Sequence, residues 1–144
     1  MTTVSRTFTV KPAPSVVLDY LRDFSHAEEW DPGTVTCTRN DTGPVRVGST
    51  WHNVSKIAGV STELTYELTR STEDTVELVG TNDTARSTDT ITVLPHGEGS
   101  EVTYQAVIEM TGAARLASPL VKLVFEKAGD ATADDLLRVL AALA

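Results

Sequence analysis

The sequence predicts an α+β fold: an antiparallel sheet of seven strands, one long helix at its C-terminal end, and two short helices between the first and second strands. Three observations lead there. Between Thr34 and Met110, six segments rich in Thr, Val, Ile and Tyr follow one another across breaks of a few residues. A parallel crossover needs a dozen or more residues, so these segments are antiparallel neighbours. Thr2–Val10 is a seventh segment of the same kind. From Pro119 to Leu143, apolar residues recur at three- and four-residue steps, which places them on one helical face.

Taken in order, Val4, Arg6, Phe8 and Val10 alternate with Ser5, Thr7 and Thr9, the period of a strand. Pro12 and Pro14 end it, and Pro14 suits the first turn of a helix, where its missing N–H costs nothing. In Ser15–Phe24, Val17, Tyr20, Leu21 and Phe24 follow the i, i+3, i+4, i+7 rule of a short amphipathic helix. Ser25-His26-Ala27-Glu28 matches a capping box, starting a further helical turn that ends near Trp30, where Asp31-Pro32-Gly33 breaks it. The six remaining strands are Thr34–Asn40, Ser49–Ile57, Ser61–Arg70, Thr75–Thr81, Thr84–Leu94 and Glu101–Met110. Alternation in Leu64/Tyr66/Leu68, Val76/Leu78 and Val102/Tyr104/Ala106/Ile108/Met110 gives the sheet one apolar face. The C-terminal helix is the element large enough to cover it. Ser118 is its expected N-cap, Pro119 lies in its first turn, and Gly112–Ala117 leads in. Leu116, Leu120, Leu123, Val124, Leu136, Leu137, Leu140 and Leu143 form its apolar stripe. Its middle, Ala128–Ala133, is small or polar. Glycine inside a helix costs about 1 kcal/mol relative to alanine, so Gly129 implies that something needs the room.

At 144 residues the chain is expected to form one domain, 1–144, with a core that needs neither disulfide nor metal. Hydrophobic content of 40% and charged content of 22% are those of a globular protein. A net charge of −8 argues against nucleic acid and against stable association with an anionic membrane. The single cysteine, Cys37, suits a reducing compartment, and MTTVSRTFTVK lacks the roughly 7–15-residue apolar run of a signal peptide, so a cytoplasmic location is expected. The N-x-S/T matches at Asn40, Asn53 and Asn82 then read as chance.

The order of elements, and several local strings, carry a resemblance. Ala13-Pro14-Ser15-Val16-Val17-Leu18-Asp19-Tyr20-Leu21 opens the first helix and Glu29-Trp30-Asp31-Pro32-Gly33 closes the second. Gly43-Pro44-Val45-Arg46-Val47-Gly48-Ser49 joins two strands, and Gly99-Ser100-Glu101-Val102-Thr103-Tyr104 opens the last. With these strings the chain resembles, from end to end, the START/Bet v 1-like (SRPBCC) superfamily, and within it the polyketide cyclase/dehydrase and lipid-transport type. The resemblance implies a helix-grip fold, in which a curved sheet wraps the C-terminal helix and leaves an elongated cavity between them. Its members variously bind lipids, hormones or polyketides, and some catalyse ring closure or dehydration. Fold alone does not choose among these.

The residues narrow the choice only slightly. There is no G-x-S-x-G, no CxxC, and no metal-ligand spacing among His26, His52 and His96, so neither metal nor cofactor is expected. His26 in its capping turn and His96 in a loop read as solvated. Trp51 and His52 alternate, and the pattern does not say which points inward. Glu63, Arg86, Asp89, Asn53 and Tyr104 are the polar strand residues that could face a cavity. Tyr104 shares its parity with Val102, Ala106 and Ile108, and its hydroxyl needs a partner wherever it is buried. Trp30 and Trp51 read either as cavity-mouth aromatics or as plain core, and for Trp30 the resemblance, through its position beside the small second helix, implies the mouth. The cavity positions expected are Trp30, Trp51, Tyr66, Leu78, Asp89, Tyr104, Leu120, Val124, Phe125, Ala128 and Gly129; no catalytic residue is assigned. The expected function is binding of a small hydrophobic or amphipathic ligand, lipid- or polyketide-like, by a monomer or homodimer. One alternative is a cyclase or dehydratase using His52, Asp89 or Tyr104 as acid or base. Another is a protein-interaction or chaperone-cofactor module, for which a collapsed cavity beside an exposed apolar patch would speak.

Overall fold

The computed structural model describes residues 2–57, 59–110 and 119–143, with only the backbone for Ile57 and for residues 119–123. The expectations on Ser118, on the lead-in Gly112–Ala117 and on the side chains of Leu120 and Leu123 lie outside the described residues. The chain runs as β1 (Thr2–Val10), α1 (Pro14–Arg22), one 3-10 turn (Phe24–His26), α2 (Ala27–Trp30), β2 (Thr34–Arg39), β3 (Thr50–Ile57), β4 (Val60–Ser71), β5 (Thr75–Thr81), β6 (Ala85–His96), β7 (Gly99–Met110) and α3 (Pro119–Ala141). All neighbouring strands are antiparallel, in the order β1-β7-β6-β5-β4-β3-β2, so the meander is flanked by the first strand. Register shifts between Thr34 and Thr36 and between Leu68 and Arg70 mark bulges, which bend the strands that carry them.

Two local expectations are corrected. The stretch Pro95–Gly99 is mostly strand, because His96 already pairs with Gly99 and Gly97 takes the left-handed conformation (φ 59°) of a tight hairpin turn. Ser25 and Glu28 do not form a capping box. Asp23 is the cap here, accepting from both the backbone N–H and the hydroxyl of Ser25 (3.0 and 2.6 Å). Glu28 reaches instead to β2, where its carboxylate accepts from the Cys37 N–H at 2.7 Å. A charged acceptor two residues before the serine thus outcompetes it.

The inner face of the sheet follows strand parity. Trp51, Leu64, Tyr66, Leu68, Val76, Leu78, Ile91, Val93, Val102 and Tyr104 all point inward and are buried. Trp51 therefore takes the core side, and His52 faces out, with its Nε2 3.1 Å from Glu63. α1 covers the part of the face formed by β5, β6 and β7, contributing Val17, Leu18 and Leu21. α3 lies chiefly against β1 and α2. Its buried line is Gly129, Thr132, Leu136 and Leu140, at helical steps of three and four. Leu137, expected in the stripe, is 38% exposed, being one residue off that line.

The soft middle of α3 has a physical cause. A Cβ placed on Gly129 would sit 2.2 Å from Cγ1 of Val4, so the absent side chain is what lets the helix cross β1. One residue on, Asp130 accepts from Arg6 Nε of β1 at 2.7 Å. The two local costs oppose one another. Alanine at 129 would gain about 1 kcal/mol of helix propensity, while overpacking against a stiff β-branched valine costs about 1–3 kcal/mol. Gly129→Ala should therefore leave the protein up to about 2 kcal/mol less stable by urea denaturation. A gain of about 1 kcal/mol, the value for a freely solvated helix glycine, would mean that α3 does not approach Val4 this closely.

Candidate functional site

The sheet and α3 do not close on each other completely. Between them lies a cavity of about 470 Å³, within the range typical of small-molecule sites. Its walls are mostly apolar. The sheet supplies Val4, Leu64, Ala106, Ile108 and Met110, and α3 supplies Val124, Phe125, Ala128 and Gly129. Val60, Asn82 and Thr84, all exposed, line it where the β3–β4 and β5–β6 turns meet solvent.

At the inner end, next to the packed core, polar groups gather. Asp89 on β6, Tyr66 on β4, Tyr104 on β7 and Asp31 after α2 all line the cavity, with Ser55, Ser87 and Thr132 beside them. Strand geometry puts them there. Asp89 stands opposite Leu78 on one side and Ala106 on the other, and Tyr104 stands opposite Ile91, so all share the inward parity. The Tyr66 ring lies over Gly80 of the neighbouring strand, where a Cβ would come within 2.5–2.7 Å of three ring atoms. A glycine in mid-strand, as Gly80 is within Thr75–Thr81, is the sequence signal of such close approach.

Asp31 ends α2 by folding its own carboxylate onto the turn: Oδ1 accepts from the Gly33 N–H at 3.0 Å and Oδ2 from the Thr34 hydroxyl at 2.9 Å. The sequence marks it as part of a helix breaker, an Asx-turn role that it does fill; that the same carboxylate also lines a cavity depends on tertiary packing. Burial raises its pKa, more than the two donors lower it. Asp89 is 5% exposed and, among the described residues, receives one hydrogen bond, from the Ser87 hydroxyl to Oδ1 at 3.2 Å. Burial, followed by the charge of Asp31, pushes its pKa up to about 7. Burial and the nearby Asp89 likewise drive the Tyr66 and Tyr104 phenols well above their usual value. The Tyr104 hydroxyl has no hydrogen-bond partner among the described residues, although its ring meets Trp30 edge-on at 6.3 Å.

Of the expected cavity positions, the structure brings together Tyr66, Asp89, Tyr104, Val124, Phe125, Ala128 and Gly129. Trp30, Trp51 and Leu78 stand elsewhere: each is at most 1% exposed and lies in the packed core behind the cavity wall. Trp30 is not at a mouth, because α2 turns it inward against Phe24 and Tyr104. The side chain of Leu120 lies outside the described residues. Among the polar strand candidates, Asn53 is buried, with its amide donating to Thr34, while Glu63 and Arg86 are exposed. His26 is half-buried, stacked on Tyr20 at 4.2 Å with its Nδ1 2.7 Å from the Tyr20 carbonyl. Among the described residues, no group of three or more His, Cys, Asp or Glu side chains could hold a metal ion, and no helix is long and apolar enough to cross a membrane.

Solved structures share this architecture. A START superfamily protein from Mycobacterium smegmatis superposes with a TM-score of 0.79 at 16% identity, covering 96% of each chain. A STAR-related lipid transfer protein from Xanthomonas axonopodis gives 0.76 at 17% identity, covering 96% of this chain and 85% of its own. The Zhui aromatase/cyclase from Streptomyces sp. R1128 gives 0.76 at 12% identity, covering 96% and 90%. At such identities these likenesses establish the fold. No curated protein sequence matches the chain significantly. The family model for polyketide cyclase / dehydrase and lipid transport matches residues 1–144, and a chain that carries this sheet, this helix and the cavity between them over that whole match belongs to that family.

Proposed function

We propose that residues 1–144 act as one ligand-binding domain, a cytoplasmic monomer or homodimer that takes a small apolar or amphipathic molecule, lipid- or polyketide-like, between α3 and the sheet. The observation that carries this reading is the cavity itself: about 470 Å³, apolar along its walls, and polar at its inner end. An apolar body would fill the walls, displacing weakly held water, while a hydroxyl or carbonyl meets Tyr104, Tyr66 and Asp89. The lipid transfer protein and the aromatase/cyclase among the structural neighbours fit such a ligand class.

Filling the cavity tests the reading. Ala106 is 6% exposed and lines the cavity from β7. Ala106→Phe should weaken binding of an apolar fluorescent probe at least tenfold, about 1.4 kcal/mol, with the fold retained by circular dichroism. Unchanged probe affinity in a folded variant would place the binding site elsewhere.

One observation favours a second reading, acid–base catalysis on a bound polyketide. Burial pushes the Asp89 pKa up to about 7, the range in which a carboxyl group both gives and takes protons at neutral pH. His52 has no part in it, since it points to the outer face. Conversion of a poly-β-keto substrate that is lost in Asp89→Asn while probe binding survives would establish this reading over simple binding.

A further inference from the structure

The cavity has a charge character that the apolar-ligand reading leaves open. Its described lining contains two carboxyl groups, Asp31 and Asp89, and no Lys, Arg or His. Proteins that hold acidic amphiphiles need a cation or a set of donors for the carboxylate; the polar side chains described at the inner end are only hydroxyls and acids, and the amide of Asn82, at the solvent end, is already donating to Thr62 and to the Glu63 carbonyl. Asp89 is 5% exposed, and its Oδ2 receives no hydrogen bond from the described residues. Tyr104 is 7% exposed, and its hydroxyl is likewise unpaired among them. The enclosed side-chain polar atoms without a partner among the described residues are Trp30 Nε1 and Trp51 Nε1; Asp89 Oδ2 and the Tyr104 hydroxyl instead face an open cavity, where a group on a ligand can reach them.

From this we infer that the cavity selects a cationic amphiphile, an apolar body bearing a protonated amine that pairs with Asp89 and Asp31 at the inner end. An ammonium group carries three donors and no acceptor, which suits a free carboxylate oxygen and a phenol oxygen. A carboxylate in the same place would be a third acid in a low-dielectric site, with like charges opposed and no donor beyond hydroxyls. Among the described residues, the titratable and hydrogen-bonding groups that interact with Asp89 are Asp31, Tyr66, Tyr104 and Ser87, and each is an acid or a hydroxyl. This inference rests on the proposed ligand-binding function and specifies its ligand class.

The test compares decylamine, decanol and decanoate, matched in chain length and kept below their micellar concentrations, as displacers of an apolar fluorescent probe at about pH 8, where Asp89 is mostly ionised. Decylamine should bind at least tenfold more tightly than decanol, about 1.4 kcal/mol, and decanoate more weakly than decanol. In Asp89→Asn the preference for the amine over the alcohol, read as the ratio of the two affinities in the same variant, should fall at least fivefold. Decanol or decanoate binding as tightly as the amine overturns the inference but leaves the ligand-binding function intact. An amine preference that survives in the double variant Asp31→Asn/Asp89→Asn also overturns it, because the attraction then comes from the acidic exterior. If the probe itself fails to bind wild type, the ligand-binding function fails, and the inference fails with it.

Discussion

Leu140→Ala should destabilise the protein by about 2–5 kcal/mol, the range for removing a large buried aliphatic side chain and leaving a cavity behind. Leu140 is fully buried (0% exposed) near the end of α3, with Leu136 one turn before it. Val139 and Leu143 pack partly against the same core. The last turn is held by the Leu143 N–H donating to the Leu140 carbonyl at 3.2 Å, so the backbone there has little freedom to collapse into a void. Leu137 provides the control. It sits on the same helix with the same intrinsic propensity, but it is 38% exposed, and Leu137→Ala should cost about 1 kcal/mol or less. The contrast between the two, read from urea midpoints at a common slope, isolates packing from helix propensity. Equal losses at 137 and 140 would mean that α3 presents a different face to the sheet.

Why the fold was legible and the site only half so follows from the range of each signal. Strand and helix assignment depends on local periodicity, and that is complete in segments such as Val102–Met110 or Thr2–Val10. Topology followed from the short breaks, which leave an antiparallel meander as the one economical connection. The inward parity of Tyr104 was likewise readable, because it shares that parity with Val102, Ala106 and Ile108; Asp89, with Ser87 before it and Ile91 after it on its own parity, was one of several polar strand residues that could face a cavity. What local pattern does not contain is depth along the inner face. Leu78 and Asp89 are paired across β5 and β6, yet one is core and the other lines the cavity. Trp30 and Trp51 face the same interior as Tyr66 but are capped by Phe24, which meets all three rings. Gly129 shows a further limit: its smallness reflects β1 passing overhead, a contact across 125 positions of sequence, as well as the cavity beside it. Asp31 is the clearest omission, since its local role as a turn acid fully accounts for its presence in the sequence.

The same depth makes Asp89 costly to the fold, and that cost is measurable. Its folded pKa of about 7 stands above the ordinary 3.8. Between those values the folded protein holds a proton that the unfolded chain has released, so the group lowers stability progressively as pH rises through about 4 to 7. Below that window the carboxyl is neutral in both states and contributes nothing; above it the full penalty of burying the charge is present. At about 1.4 kcal/mol per pH unit, the window amounts to about 4 kcal/mol. Asp89→Asn removes the charge and keeps an oxygen that can accept the Ser87 hydroxyl. The variant should therefore be more stable than wild type by up to about 4 kcal/mol near pH 8, with the advantage shrinking toward zero near pH 4. Asp31, also raised by burial, leaves a residual slope of the same sign in the variant. Tyr66 and Tyr104 titrate above this range and do not enter it. Urea denaturation of both proteins across that pH range measures the difference directly. Parallel stability curves would mean that Asp89 is already ionised and well solvated in the folded state, and with that the buried acid at the end of the cavity would be lost as a determinant of what the cavity holds.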